Sequence, residues 1–338
     1  MEKVRQKPDL SQSLRQQIAK FNRENDTYRI EVLDYSQYSE VIASPGSYTK
    51  DSSPAITKLN TELLSGNLPD LIDFTATELP VAQYAAKGFL EDLLPFLRAD
   101  SAVSEEKLNQ NVLDAIKTDG KLYQMPTAFS VIGAAGKHEI VGGYDAWTLD
   151  AMHDAMKKLP ADATVFNVDY TKDTVVFACL ASSLSQFVDW ESGTCSFETD
   201  AFKSFLSFAD SFPAEFDTTN FDFDNYDSDY RRVGQKQQLL ANIAFSGFDD
   251  IYYQLEAMEN DADFVGYPGV TGGYGCGFLP LGSIAMTTAC KDKDAAWGFI
   301  RSLLSEDVQL QQTGFPMLNS AFDKKAADAM KQEYVTEE

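Results

Sequence analysis

Apolar residues early in the chain repeat at the spacing of a helix and then give way to a turn. Ile56, Leu59 and Leu63 stand at positions i, i+3 and i+7, which places them on one face of a helix. Gly66 follows, and glycine readily adopts the left-handed conformation that ends a helix. Pro69 cannot continue a helix, so we predict that the chain turns before Leu71.

The next residues, 71–74, are mostly apolar and show no clean alternation. Such a run is typical of a strand in a parallel sheet whose two faces are covered by helices. Ligands of these sheets bind beyond the carboxyl ends of the strands. The polar residues that follow this strand, among them Thr75 and Glu78, are therefore the first candidates for a binding site.

Helix and strand patterns continue along the chain and predict an α/β fold. Leu14, Ile18 and Phe21 form a helical stripe before a strand pattern at residues 28–35. Further on, Thr148 and Thr199 are predicted N-caps of apolar helices. The middle of the chain is therefore rich in helix, and another strand pattern occupies residues 242–245.

Length and charge limit the possible functions. A chain of 338 residues is long enough for about two domains. The formal net charge of -24 and the lack of a Lys/Arg cluster argue against nucleic acid as a partner. No apolar run approaches the roughly 20 residues that cross a bilayer. Residues 1–8 lack the apolar core of a secretory signal, so either the protein is cytosolic or its signal has been removed.

The cysteines and histidines do not indicate a metal or redox site. The four cysteines form no CxxC pair, and the two histidines, His138 and His153, stand alone. Either two disulfides or four buried thiols fit these cysteines, and buried thiols are favoured. We expect no metal and no cofactor.

Two patterns are similar to ligand-binding loops but lack an essential part. The glycine-rich residues 272–277 are followed by Phe-Leu-Pro instead of a helix N-terminus, which favours a connector over a phosphate site. The acidic residues 222–227 are similar to a calcium loop, but Asp227 stands where glycine is needed and Val233 where glutamate is needed. A solvated acidic surface loop that extends to residue 230 is the favoured interpretation.

Three segments in order along the chain carry a resemblance to a known family. They are Ser-Gly-Asn-Leu-Pro-Asp at residues 65–70 with Tyr-Ala-Ala-Lys-Gly-Phe-Leu-Glu-Asp-Leu at 84–93, Asp-Gly-Lys-Leu-Tyr-Gln-Met-Pro at 119–126, and a helix pattern with Trp297 at 295–309. Together they resemble the extracellular solute-binding proteins of bacterial carbohydrate ABC importers (family 1, maltose-binding-protein-like). The strand that precedes the first helix in this family has no counterpart at residues 7–11.

The resemblance implies a two-lobed periplasmic-binding-protein-like fold of type II, joined by a hinge of crossing segments. We expect an N-terminal lobe of residues 1–126 and 247–284 and a C-terminal lobe of residues 127–246 and 285–338. The family implies a monomer, lipid-anchored at the cell surface or periplasmic, that captures a small polar solute, a sugar or oligosaccharide, in the cleft between the lobes. Hinge closure would bury the solute for delivery to an ABC permease, without covalent chemistry.

The predicted binding residues lie at the strand end, at the crossing segments and near them. Aromatic rings cover the apolar faces of sugars, while carboxylates accept hydrogen bonds from hydroxyls. The candidates are Thr75, Glu78, Phe129, Ser130, Trp190, Phe248, Asp249 and Tyr267. Two alternatives stay open: a glycan hydrolase that uses paired carboxylates, and a surface sensor or adhesin that reuses the fold.

Overall fold

The computed structural model describes residues 10–44, 47–74, 79–181, 183–189, 194–222, 226–269 and 274–331. The chain forms two compact units. Unit 1 consists of Met1–Phe129 and Pro280–Glu338, and unit 2 consists of Ser130–Leu279. The chain therefore passes from one unit to the other twice.

The helices and strands follow one another in three segments. The first segment of unit 1 contains α1 (Gln12–Glu24), β1 (Glu40–Ser44), β2 (Ser47–Asp51), α2 (Ser53–Leu64), β3 (Leu71–Asp73), α3 (Val81–Ala86), α4 (Leu94–Ala99), α5 (Gln110–Ile116) and the start of β4 (Ala128–Lys137). Unit 2 continues β4 and contains α6 (His138–Val141), α7 (Leu149–Met156), α8 (Lys172–Ala181), β5 (Val188–Asp189), β6 (Thr194–Cys195), α9 (Asp200–Asp210), α10 (Asp229–Gly234), β7 (Ala241–Phe245), α11 (Phe248–Ala257), β8 (Ala262–Phe264), β9 (Tyr267–Pro268), β10 (Tyr274–Gly275) and most of β11 (Gly277–Leu281). The second segment of unit 1 contains β12 (Ile284–Met286), α12 (Lys293–Leu303), α13 (Glu306–Leu310), β13 (Phe315–Pro316) and α14 (Asn319–Ala329).

The predicted order of helix, turn and strand is confirmed around β3. Leu59 and Leu63 of α2 pack with Ile72 of β3 in one hydrophobic core, where Leu63 is only 1% exposed. Burying a leucine to this extent contributes about 1.5–3 kcal/mol. Gly66 has a φ of +85°, which is the left-handed conformation expected of the residue that ends this helix.

The expected parallel pairing of β3 is wrong. β3 pairs antiparallel with β12, and Asp73 lies opposite Ile284. Ala285 of β12 and Ile72 of β3 are both buried in the same core. A short buried run gives no information on the direction of its partner, so the sequence pattern could not distinguish the two arrangements.

The strand predicted at residues 28–35 is not formed. A side chain instead of a neighbouring strand holds this segment. The side-chain amide of Asn22 forms hydrogen bonds with both the backbone N–H and the backbone carbonyl of Ile30. Asn22 Nδ2 donates to the Ile30 carbonyl at 2.9 Å, and the Ile30 N–H donates to Asn22 Oδ1 at 2.7 Å. An asparagine amide offers the same donor and acceptor pair as a strand backbone.

Gln309 of α13 ties together four backbone groups inside unit 1. Its Nε2 donates to the carbonyls of Thr127 and Leu303 at 2.8 and 2.9 Å, and its Oε1 accepts from the N–H groups of Met317 and Leu318 at 2.8 and 3.1 Å. The side chain is 0% exposed, so water does not replace these bonds. The predicted helix at 295–309 is in fact two helices, α12 and α13.

Strand β4 organises the sheet of unit 2. β7 pairs antiparallel with it from Val131, opposite Phe245, to Ala135, opposite Ala241. β8 pairs antiparallel with the end of the same strand, with Lys137 opposite Ala262. Because β7 alternates buried and exposed residues, one of its faces lies on the core of unit 2.

The helix starts predicted in unit 2 are confirmed. Thr148 Oγ1 accepts from the Ala151 N–H at 3.2 Å at the start of α7. Thr199 Oγ1 accepts from the Phe202 N–H at 3.3 Å at the start of α9. Each cap satisfies a helix N–H that has no partner within the helix. Apolar residues of both helices then enter one core, in which Trp147 is 1% exposed.

The two units correct the predicted lobes beyond residue 246. Residues 247–279 belong to unit 2, because β8 pairs with β4 and β7 leads directly into α11. Residues 285–338 belong to unit 1, since β12 pairs with β3 and β13 pairs with the first residues of β4. The predicted lobe boundary between residues 284 and 285 falls within strand β12, Ile284–Met286, which lies inside unit 1.

The four cysteines are not joined in disulfides. Cys179 and Cys290 are buried, whereas Cys195 and Cys276 are exposed, so the expectation of four buried thiols is correct for two of them. Among the described residues, no helix has the length and apolar character needed to span a bilayer.

Candidate functional site

Two of the candidate residues, Phe248 and Asp249, begin helix α11 directly after strand β7 in unit 2. Asp250 holds the turn between the two elements. Its Oδ2 accepts from the Ser246 N–H at 2.7 Å and from the Gly247 N–H at 3.1 Å. These bonds satisfy two backbone donors and fix where the helix begins.

The first turn of α11 presents an aromatic ring and a carboxylate together. Phe248 is half-buried and Asp249 is exposed. A half-buried ring offers an apolar surface, and a carboxylate accepts hydrogen bonds from hydroxyl or amino groups. This combination suits a polar solute that also has apolar faces.

Tyr267 lies in the core of unit 2 and holds Asn242 of β7. The tyrosine is 9% exposed, and its ring centroid is 5.9 Å from that of Phe166. Its hydroxyl donates to Asn242 Oδ1 at 2.8 Å and lies 3.1 Å from the hydroxyl of Tyr170. Burial raises the pKa of Tyr267, so the hydroxyl keeps its proton at neutral pH. Tyr267 therefore orients Asn242 instead of exposing its ring.

Asp229, the first residue of α10, was placed in an acidic surface loop by the sequence pattern, but its carboxyl group is partly buried. The Asn242 backbone N–H and the Gln238 side chain hydrogen-bond to it, whereas its buried Oδ1 has no partner in the described part of the chain. Burial, and after it the negative charge of Asp169, raises the pKa of Asp229. Sequence reasoning missed this residue because the neighbouring positions are polar as well.

The strand end predicted as a binding site in unit 1 lies beside a buried serine. The Phe74 N–H donates to the Ser283 carbonyl at 2.7 Å. Ser283 is 2% exposed, and its Oγ has no hydrogen-bond partner among the described residues. Thr75 and Glu78 lie outside the described residues, so their part in the site stays a prediction.

The remaining candidates occupy different environments. Phe129 is 3% exposed and packs in unit 1, with its ring centroid 5.5 Å from that of Phe315 and 6.4 Å from that of Phe322. Ser130, the first residue of unit 2, is 4% exposed. Trp190 lies outside the described residues. The structure thus places Phe248 and Asp249, which are neighbours in the sequence, at the start of α11, and it packs the rings of Phe129 and Tyr267 into the cores of their units.

Two wide grooves lie away from the candidate residues. A groove of about 720 Å³ in unit 1 is lined in part by Arg301 of α12 and Asn319 of α14. A groove of about 620 Å³ in unit 2 is lined in part by His153 of α7 and Phe208 of α9. The described residues contain no group of three His, Cys, Asp or Glu side chains that could hold a metal ion.

Comparisons with known proteins agree on the fold. A family model for bacterial extracellular solute-binding proteins matches residues 47–333. The sugar-binding protein MalE from Xanthomonas citri is 17% identical, with a TM-score of 0.57 over 95% of this chain and 82% of that chain. An ABC transporter solute-binding protein from Thermotoga lettingae, solved with α-D-tagatose, is 16% identical, with a TM-score of 0.52 over 94% of this chain and 81% of that one. A chitin oligosaccharide binding protein is 17% identical, with a TM-score of 0.53 over 96% of this chain and 86% of that one.

At these identities the structural likeness shows a shared fold. None of the curated proteins compared matches the sequence significantly. The family model spans both compact units and most of the chain. The chain therefore belongs to the family of bacterial extracellular solute-binding proteins.

Proposed function

We propose that this protein captures a carbohydrate outside the cell and delivers it to the membrane permease of an ABC importer without changing it chemically. Membership of the solute-binding family supports the capture role. Proteins that share the fold include a sugar-binding protein, a chitin oligosaccharide binding protein and a solute-binding protein bound to α-D-tagatose. In this proposal the protein acts as a monomer, either on a lipid anchor at the cell surface or in the periplasm.

The observation that carries the proposal is the pairing of Phe248 with Asp249 at the start of α11. The ring is half-buried and the carboxylate is exposed, so both side chains have surface that a solute can reach. The turn before them is fixed by the two hydrogen bonds to Asp250. Thr75, Glu78, Ser130 and Trp190 remain proposed contacts, as do Phe129 and Tyr267, whose rings are packed.

A thermal-shift screen of the full chain tests the solute class. Mono- and oligosaccharides, amino acids and peptides are compared, because a ligand that binds only the folded state raises its melting temperature. At 100 times the dissociation constant the stabilisation is about 2.7 kcal/mol. Stabilisation by amino acids or peptides alone would overturn the carbohydrate proposal. Turnover of labelled oligosaccharides would overturn capture without chemistry.

Substitution of the ring tests the site. We expect Phe248→Ala to raise the dissociation constant for the bound sugar about tenfold, a loss of about 1.4 kcal/mol, with a melting temperature near that of the parent. Titration calorimetry measures the first effect and thermal unfolding the second. The control is Phe177→Ala in the same unit, since that ring is already 77% exposed and should change neither quantity. A large loss of stability with unchanged affinity would assign Phe248 to the core instead.

A further inference from the structure

Strand β7 carries an asparagine on the face of the sheet that is open to solvent. The residues of this strand alternate between buried and exposed, and Asn242 and Ala244 are the exposed ones. Ala244 lies opposite Ile132 of β4, which is 42% exposed. Opposite residues of an antiparallel pair lie on the same face, as do alternate residues of one strand. Asn242 therefore presents a polar group beside the apolar side chains of Ala244 and Ile132.

Hydroxyl groups in the core fix the oxygen of the Asn242 amide. The Tyr267 hydroxyl donates its one proton to Asn242 Oδ1 at 2.8 Å. In the 3.1 Å hydrogen bond between the two tyrosine hydroxyls, Tyr170 is therefore the donor. Burial raises the pKa of both tyrosines, so both hydroxyls keep their protons at neutral pH. Tyr170, Tyr267 and Asn242 thus form a chain of hydrogen bonds that begins in the core and ends at an exposed amide.

The backbone of Asn242 is held as well. Its N–H donates to the carboxyl group of Asp229, and the residue lies opposite Ala134 of β4, which is 1% exposed. The nitrogen of the side chain is different, because Nδ2 has no acceptor among the described residues. An amide whose oxygen is held from the core offers its two N–H donors in a fixed direction.

Two roles could explain this arrangement. In the structural one, Asn242 serves only as the acceptor that the buried Tyr267 hydroxyl needs. That role requires the oxygen alone and gives no reason for an amide on an exposed face. In the binding role, the hydrogen bonds behind Asn242 hold the amide in place before a ligand arrives, which lowers the entropy lost on binding.

We propose that Asn242 is a sugar-binding residue, whose two N–H groups donate to acceptor oxygens of a neutral sugar, and that Tyr267 is its positioning residue. Hydroxyl and carbonyl oxygens of a sugar accept such bonds. The inference rests on the carbohydrate function proposed above. Strand β7 leads directly into the turn before Phe248, so the strand contributes to the site along its open face as well as at its end.

Substitution of Asn242 tests the binding role. Titration calorimetry of the full chain is done with maltose, cellobiose and diacetylchitobiose. Asn242→Ala should raise the dissociation constant of the sugars that the parent binds about tenfold, and the exposed Asn220→Ala of the same unit should leave it unchanged. A lower melting temperature with an unchanged dissociation constant overturns the binding role and leaves the carbohydrate function standing. A parent that binds none of the three sugars overturns both.

Substitution of the tyrosines tests the positioning role. Tyr267→Phe keeps the buried ring but releases the amide, so the dissociation constant should rise about threefold. Tyr170→Phe is the matched control, because it also removes a buried hydroxyl but spares the bond between Tyr267 and Asn242, and it should leave affinity unchanged.

The double variant separates positioning from a general loss of stability. If Tyr267 acts through Asn242, Tyr267→Phe should not weaken binding further in the Asn242→Ala protein, with folding of each variant checked by thermal unfolding. Equal effects of Tyr267→Phe and Tyr170→Phe on affinity, or a further loss in the double variant, would overturn the positioning role.

Discussion

Two polar side chains, the buried Gln309 in unit 1 and the partly buried Asp229 in unit 2, differ in how completely they are hydrogen-bonded. Gln309 in unit 1 uses both of its donors and its acceptor oxygen on backbone groups. Asp229 in unit 2 keeps one buried oxygen unpaired among the described residues, and its charge is disfavoured by burial. The hydrogen bonding of Gln309 is therefore complete, and that of Asp229 is not.

This difference should change how each side chain affects stability. A fully satisfied buried network stabilises one conformation of the chain, while a partly satisfied one costs stability. Substitutions at Gln309 should therefore lower the free energy of unfolding, whereas removal of the charge of Asp229 should raise it at neutral pH.

The largest effect is expected for Gln309→Ala. The change removes four hydrogen bonds and leaves backbone groups buried without partners, so the free energy of unfolding should fall by about 3–5 kcal/mol. Urea denaturation measures this loss, and solute affinity of the folded variant should be unchanged. The control is Gln311→Ala at an exposed position two residues away, which should stay within about 0.5 kcal/mol of the parent. A similarly small effect at Gln309 would remove the contrast between the units.

Tyr267→Phe should have an intermediate effect. The variant loses the hydroxyl that bonds to Asn242 and Tyr170 but keeps the buried ring, so we expect a loss of about 1–2 kcal/mol in the free energy of unfolding. Denaturant unfolding measures it, with the exposed Tyr38→Phe as control. Lower affinity without any loss of stability would show that Tyr267 contacts the solute directly.

A smaller, pH-dependent effect is expected for Asp229→Asn in the absence of solute. Since the folded-state pKa of Asp229 is raised, the folded chain binds more protons than the unfolded one between the two pKa values, and stability falls as the pH rises through that window. The variant has no carboxyl group at this position, so its stability does not fall for this reason as the pH rises. It should be more stable than the parent at pH 7.5, and the difference should shrink towards pH 4, near the unfolded pKa of about 3.9. Chemical denaturation of parent and variant at several pH values measures it, and an advantage that grows on acidification would contradict it.

Local features of the fold could be predicted from the sequence because a few neighbouring residues determine them. Gly66 at the end of α2 and the N-caps Thr148 and Thr199 are all found. The partner of β3 and the placement of residues 285–338 depend on contacts between distant segments. Periodicity does not report such contacts, and for this reason these predictions were wrong.

The candidate site was predictable only in part. Phe248 and Asp249 follow a recognisable strand and lie at a helix start, as expected of residues at the end of β7. Asp229 gave no signal in the sequence, because its unpaired carboxylate oxygen is revealed only by the folded chain. The packing of Phe129 against Phe315 and Phe322 could not be predicted either, because these residues are far apart in the sequence.

The smallest effect is expected at an ion pair on the surface of unit 2, where both side chains are exposed to solvent. His138 Nδ1 lies 2.8 Å from Asp263 Oδ2, and the hydrogen bond and charge of Asp263 raise the pKa of the histidine. Its stabilisation should be present below the unfolded pKa of about 6.5 and lost as the pH rises through the raised folded value. Because the imidazole is 66% exposed, solvent screens the pair and the difference in melting temperature between parent and His138→Gln should be small.

A double-mutant cycle that combines His138→Gln with Asp263→Asn at pH 5.5 and pH 9 isolates the interaction between the two side chains. Coupling at pH 5.5 that disappears at pH 9 fits an ion pair, whereas coupling of equal size at both values would show a contact that does not depend on the histidine proton.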